Sequence, residues 1–223
     1  MTLVKICGIT TLADMTAAIE AGADFLGFIC YPKSPRYVTR DTLMTLMELL
    51  RGLDAPRIPQ CVGVFVDPDP DEVYQTVEKC RLQAAQIHRA SPEKMQTINT
   101  RLHGVCYPAI QPRTFEEALI ALNPDLISAP PWIPQLLIDA YHPELAGGTG
   151  KRADLEIAHR LTEVVSRLMV AGGLSPDNVG EVLRVLRPWA VDVSSGVEYA
   201  PGKKDHALIR AFIQAVREAS QED

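Results

Sequence analysis

"LVKICGITTLAD", Leu3–Asp14, carries a short apolar strand, a turn and a helix start in twelve residues. Lys5 and Cys7 fall on one face of that strand, Val4 and Ile6 on the other. The strand gives way to a loop at Cys7-Gly8. Thr11 and Asp14 then form a capping box, and the helix it opens is expected to stop at Gly22. The same alternation recurs along the chain. Further strands are expected at Asp24–Cys30, Gln60–Val66, Ala84–His88, His103–Tyr107, Gln135–Tyr141, Leu168–Gly172 and Ala190–Ser194. Helices follow each strand, announced by Asp69-Pro70, Ser91-Pro92, Thr114, Asp154 and Ser175-Pro176. Asn123–Pro134, "NPDLISAPPWIP", has no period and reads as an irregular connection. Eight strand–helix units predict a single-domain (β/α)₈ barrel, a TIM barrel, over residues 1–223. A doubly wound open sheet is the rival; the count of eight suits closure better, and no G-x-G-x-x-G follows the first strand.

Composition narrows the class. The chain has 223 residues, 47% hydrophobic and 22% charged, with a net charge of −6. That balance disfavours nucleic acid as a partner but leaves room for a local basic site that holds a small anion. No apolar run reaches the length of a membrane span, and the N-terminus lacks the apolar stretch of a secretory signal. The five cysteines are odd in number and form no C-x-x-C pair. A disulfide framework or a metal site is therefore not expected, and a reducing cytoplasm is.

In a barrel of this kind the chemistry sits at the C-terminal ends of the strands. Cys7 is the last inward residue of the first strand. Asp139, sharing a face with Leu137, is the last inward residue of the sixth. Around a closed ring the two look at each other across the mouth. A thiol and a carboxyl so placed suit proton transfer, one group removing a proton while the other supplies one. Taken singly, Cys7 reads as a small buried residue and Asp139 as a helix cap; the pairing at matched strand ends favours chemistry. "AGGLSPDN" (Ala171–Asn178) and "DVSSGVE" (Asp192–Glu198) place Gly172, Gly173, Ser194, Ser195 and Gly196 in the loops after strands seven and eight, the usual phosphate seat of the architecture. "GGTG", with Gly148 and Gly150, adds flexible backbone beside them. Arg36, in "YPKSPRYV", is suited to bidentate capture of a carboxylate or else is solvated. Gln86 and His88 end the fourth strand, as ligand contacts or as internally satisfied polar residues. Lys5 and Asp192 are expected to pair inside the barrel, a structural role.

The ordered set "KICGIT", "AGADFLGFI", "SPRYV", "GVFV", "QIH", "GGTGK", "AGGL", "AVDVSSGVE" and "PGKKD" resembles the phosphoribosylanthranilate isomerases of tryptophan biosynthesis across almost the whole chain. The resemblance implies an Amadori rearrangement without cofactor or metal, on a small phosphorylated substrate, by a monomer or weak homodimer. It also implies Cys7 as general base, Asp139 as general acid, Arg36 on the anthranilate carboxylate and the last two loops on the phosphate. The chain departs from the family after "GGTGK", where "RADLEIA" lacks the expected aromatics. Two other readings stay open on the residues: a different sugar-phosphate isomerase or lyase of this fold, and a catalytically inactive barrel that binds a phosphorylated metabolite.

Overall fold

The computed structural model describes residues 1–54, 57–122, 130–139 and 150–221, with the side chains of 150–155 left aside. Eight parallel strands close into a barrel in chain order: β1 (Leu3–Cys7), β2 (Phe25–Ile29), β3 (Gln60–Val66), β4 (Ala84–His88), β5 (Cys106–Ile110), β6 (Leu136–Asp139), β7 (Leu168–Ala171) and β8 (Ala190–Val193). The helices between them are α1 (Leu12–Ala21), α2 (Arg40–Arg51), α3 (Pro70–Cys80), α4 (Pro92–Arg101), α5 (Phe115–Ala121), α6 (Gly150–Val164), α7 (Val179–Leu186) and α8 (His206–Ala219). After β8 come a single 3₁₀ turn, Ser195–Val197, and an antiparallel ribbon of β9 (Glu198–Ala200) and β10 (Lys203–Lys204). No helix among the described residues is long and apolar enough to cross a membrane.

The barrel sorts side chains by strand parity. Val4, Ile6, Leu26, Phe28, Ile87, Ile138 and Val191 face outward into the layer beneath the helices. Phe25, Val62, Ala84, Tyr107, Leu137, Met169 and Ala190 fill the interior, where Ile133 packs with them. Apolar burial on both faces of every strand is what a parallel sheet sheathed in helices requires. Three of the helix starts are capped as their sequences announce: Asp69, Ser91 and Thr114 each accept a hydrogen bond from the first helical turn.

Four expectations shift. The fifth strand lies three residues later than the sequence suggests, because His103 (φ 51°) and Gly104 (φ 87°) are left-handed and cannot extend a strand. Pro108 sits inside the strand, opposite Ile87. The capping box at Thr11 is half formed: Thr11 accepts from the Asp14 N–H at 3.1 Å, but the Asp14 carboxylate turns to His206, 2.9 Å away, and ties α1 to α8. Helix α7 begins at Val179 and not at Ser175-Pro176, because Asn178 folds back over the turn. Its Oδ1 accepts from the Ser175 N–H at 2.8 Å and its Nδ2 donates to the Gly173 carbonyl at 3.0 Å. Helix α6 starts at Gly150, ahead of the expected Asp154. Of the irregular connection, residues 123–129 lie outside the described residues, as do Ala140 and Tyr141 of the expected sixth strand.

Candidate active site

A cavity of about 550 Å³ opens at the C-terminal ends of the strands. Cys7, from the end of β1, and Asp139, from the end of β6, both line it. Gln86 and His88 reach it from β4, Arg36 from the β2–α2 loop, Gly172 and Gly173 from the β7 loop, and Ser194 and Ser195 from the β8 loop. Gly196 packs behind it, against the β7 loop. Gly150 is the first residue of α6, and Gly148 lies outside the described residues. A larger hollow of about 1040 Å³ adjoins the cavity over the ends of β3–β5 and shares Ile29, Val64 and His88 with it. Neither Cys7 nor Asp139 borders that hollow.

Beneath the mouth runs a buried polar ladder. Lys5 is fully buried and donates to Asp192 Oδ1 at 3.1 Å and to Gln86 Oε1 at 2.9 Å. The expected Lys5–Asp192 pair is therefore present, between directly paired residues of β1 and β8. Burial works against the Lys5 ammonium, but Asp192 beside it holds it above its ordinary range. The ladder also fixes an imidazole. An ammonium has no acceptor, so the Gln86 oxygen must face Lys5, and the Tyr107 hydroxyl donates to that same oxygen at 3.1 Å. The Gln86 amide nitrogen then faces His88 Nε2 at 2.8 Å, and that nitrogen must accept. His88 is thus neutral, with its proton on Nδ1. Burial, with Lys5 and Arg89 nearby, lowers its pKa to about 4, which agrees.

Around Cys7 the field is mixed. Burial pushes the thiol up, while Lys5 and then Lys204 pull it down. Gly27, the β2 residue beside Cys7, makes room for it: a methyl there would stand 2.8 Å from Cys7 Sγ and 3.1 Å from Lys5 Cε. Across the cavity, Gln111 Nε2 donates to Asp139 Oδ2 at 2.6 Å. That leaves Oδ1 as the oxygen able to carry a proton.

Arg36 is not a free fork. Its Nε and Nη2 grip the two oxygens of Glu198 at 2.8 and 2.7 Å, so only the Nη1 side is open to a ligand. Lys204, buried, donates to the same carboxylate at 2.8 Å and to the Ser194 carbonyl at 2.9 Å. Burial works against the Glu198 carboxylate, but these two cations hold it below its usual range. Two cations on one carboxylate leave this edge of the mouth positive. Glu198, Lys204 and Gln111 carry no role in the sequence reading; "PGKKD" and "SSGVE" contained the first two as motif residues only.

The β7 and β8 loops offer backbone donors. Gly172 and Gly173 are left-handed (φ 102° and 58°). No backbone carbonyl among the described residues accepts from the N–H of Gly172, Gly173, Ser195 or Gly196. The buried Ser194 hydroxyl also lacks a partner there. The two loops meet so closely at Gly196 that a Cβ would lie 1.8 Å from the Leu174 carbonyl oxygen. Gly196→Ala is therefore expected to push the loops apart at a cost of about 1–3 kcal/mol. A thermal melt should show Tm lower by roughly 5 °C, and KM for a phosphorylated substrate should rise. A Tm within 1 °C of the parent, a shift worth well under about 1 kcal/mol, would show that the contact is relieved without cost.

Comparison with known proteins gives a consistent result. The family profile described as N-(5'phosphoribosyl)anthranilate (PRA) isomerase matches residues 4–215. The N-(5'-phosphoribosyl)anthranilate isomerase of Trichlorobacter lovleyi is 42% identical over 220 residues, covering 98% of this chain and 100% of that one. The crystal structure of phosphoribosyl anthranilate isomerase from Thermotoga maritima superposes with a TM-score of 0.80 at 35% identity, over 98% of this chain and 100% of that one. A further structure of a phosphoribosyl anthranilate isomerase, in complex with reduced 1-(o-carboxyphenylamino)-1-deoxyribulose 5-phosphate, gives a TM-score of 0.79 at 32% identity, over 98% of this chain and 100% of that one. The chain is an isomerase and belongs to the N-(5'-phosphoribosyl)anthranilate isomerase family.

Proposed function

We propose that this chain converts N-(5-phosphoribosyl)anthranilate to 1-(2-carboxyphenylamino)-1-deoxyribulose 5-phosphate in tryptophan biosynthesis, with Asp139 as general acid and Cys7 as general base. The observation that carries the reading is the bracketing of one cavity by a β1 thiol and a β6 carboxyl. Protonated Asp139 gives its proton to the furanose ring oxygen. The C1–O bond breaks as the anilino nitrogen lone pair forms the iminium. The Cys7 thiolate takes the proton from C2, and the electron pair of that bond makes the enolamine. Tautomerisation puts a proton on C1 and takes one from the C2 hydroxyl, giving the ketone; Cys7 releases its proton to solvent and Asp139 takes one back, which leaves the acid–base pair ready for another turn. Each proton transfer by a positioned group contributes about 10²–10⁴-fold. The N–H groups of the β7 and β8 loops from which no described backbone carbonyl accepts, with Ser194, suit the phosphate. All of these residues come from one chain, which suits a monomer or weak homodimer.

The direct test is the loss of fluorescence of freshly generated phosphoribosylanthranilate on addition of the purified protein. Turnover at rates usual for enzymes, about 1–10³ s⁻¹, is expected. Binding of the substrate without any turnover would select the inactive-barrel reading instead.

Arg36, presenting its open Nη1 side, holds the anthranilate carboxylate. A charge-assisted hydrogen bond of this kind is worth about 1.5–3 kcal/mol. Arg36→Ala should therefore raise KM roughly 10- to 100-fold with a smaller change in kcat. Steady-state kinetics with KM unchanged would place Arg36 outside the substrate contact and leave it a partner of Glu198 alone.

A further inference from the structure

We infer that Lys5 is a positioning residue for the reaction: its buried ammonium, fixed by Asp192 and Gln86, is the charge that stabilises the Cys7 thiolate. The inference rests on the reading of Cys7 as the base and supplies what that reading lacks. A thiol this buried has little solvent to stabilise its anion, so an internal cation is needed.

The geometry supplies one. Lys5 and Cys7 lie two residues apart on β1 and share the inward face. The same methyl-sized space above Gly27 touches both Cys7 Sγ and Lys5 Cε. Lys5 has three donors; Gln86 and Asp192 take two, which leaves one for the neighbouring Cys7 thiol. The ladder keeps the charge on Lys5. His88, at the far end of the ladder, is held neutral because its Nε2 accepts from Gln86. Lys5 also comes first among the groups that draw the thiol downward against burial.

The other charged or titratable groups around Cys7 are Asp192 on β8, Lys204 on β10, Arg36 after β2, Tyr107 on β5, and Asp139 and His88 across the cavity. Lys204 and Arg36 both answer to Glu198, and Tyr107 is pushed upward by burial, so it stays neutral. Asp192 acts in the opposite sense to Lys5. It compensates the ammonium and so limits the stabilisation of the thiolate. This opposition gives the test its sign.

The test is alkylation of Cys7 by iodoacetamide across a pH series, mapped to Cys7 by mass spectrometry, together with the pH profile of kcat/KM. The proteins are the parent, Lys5→Met, Lys5→Arg and Asp192→Asn, each checked for a cooperative melt. Lys5→Met should move the alkylation midpoint up by about 1–3 pH units, the usual effect of losing an adjacent opposite charge. Lys5→Arg should recover part of that shift. Asp192→Asn, which keeps the shape and removes the compensating charge, should move the midpoint down. The basic limb of kcat/KM should track each displacement. Shifts of the same sign in Lys5→Met and Asp192→Asn, or a midpoint unmoved in folded Lys5→Met, would overturn the inference and leave Lys5 a packing residue. If Lys5→Met does not fold, Asp192→Asn decides by its sign alone. Alkylation midpoints that move while kcat/KM does not would keep the Lys5–Cys7 coupling and overturn Cys7 as the base.

Discussion

Asp139→Asn is expected to abolish measurable turnover while leaving the binding of substrate analogues intact. The asparagine matches the aspartate in shape, and its amide oxygen still accepts from Gln111 Nε2, which reaches Asp139 Oδ2 at 2.6 Å. The cavity should therefore keep its form. What is lost, on the proposed mechanism, is the proton that Asp139 delivers to the ring oxygen. Without it that mechanism has no acid to break the C1–O bond and forms no iminium for Cys7 to act on. A positioned acid is worth about 10²–10⁴ in rate, so kcat should fall by at least that much. The checks are the fluorescence assay for kcat and an equilibrium titration with the reduced product analogue. Equal losses of turnover and of analogue binding would instead assign Asp139 to the architecture of the mouth.

Cys7→Ala should lower kcat by about 10² or more with little change in KM, since in the proposed mechanism the thiol acts on C2 and does not anchor the phosphate or the carboxylate. Alanine keeps a small apolar group against Gly27 and Lys5, so the fold should survive and a thermal melt serves as the control. Rates close to the parent would remove Cys7 from the mechanism, whatever its position. The two substitutions act on successive steps. Combining them should therefore cost less than the product of the single effects, as is found for groups that act as one unit.

The parity of single strands was readable in the sequence because alternation survives in any strand. Lys5 and Cys7 point inward, and Val4 and Ile6 outward, as "LVKIC" predicts. The same holds for Leu137 and Asp139. Ring closure then put the ends of β1 and β6 over one cavity with no further information. What the sequence hid was the identity of partners distant in the chain. Arg36 looks free in "YPKSPRYV", yet it is claimed by Glu198, 162 positions away. Asp14 looks like a cap, and a histidine from the last helix takes its carboxylate. Gln111 escaped notice for a local reason. Reading β5 three residues early moved its true end, and the residue beyond it, away from the mouth. Asn178 was passed over because Ser175-Pro176 is the stronger helix-start signal, although the side chain that organises the turn is the asparagine.

The most direct measurement is a crystal structure of this chain with the reduced product analogue bound. The account predicts the sugar carbons lying between Cys7 Sγ and Asp139 Oδ1, with the phosphate on the N–H groups of Gly172, Gly173, Ser195 and Gly196. A sugar that touches only one of the two groups, or a phosphate seated away from the β7 and β8 loops, would contradict it.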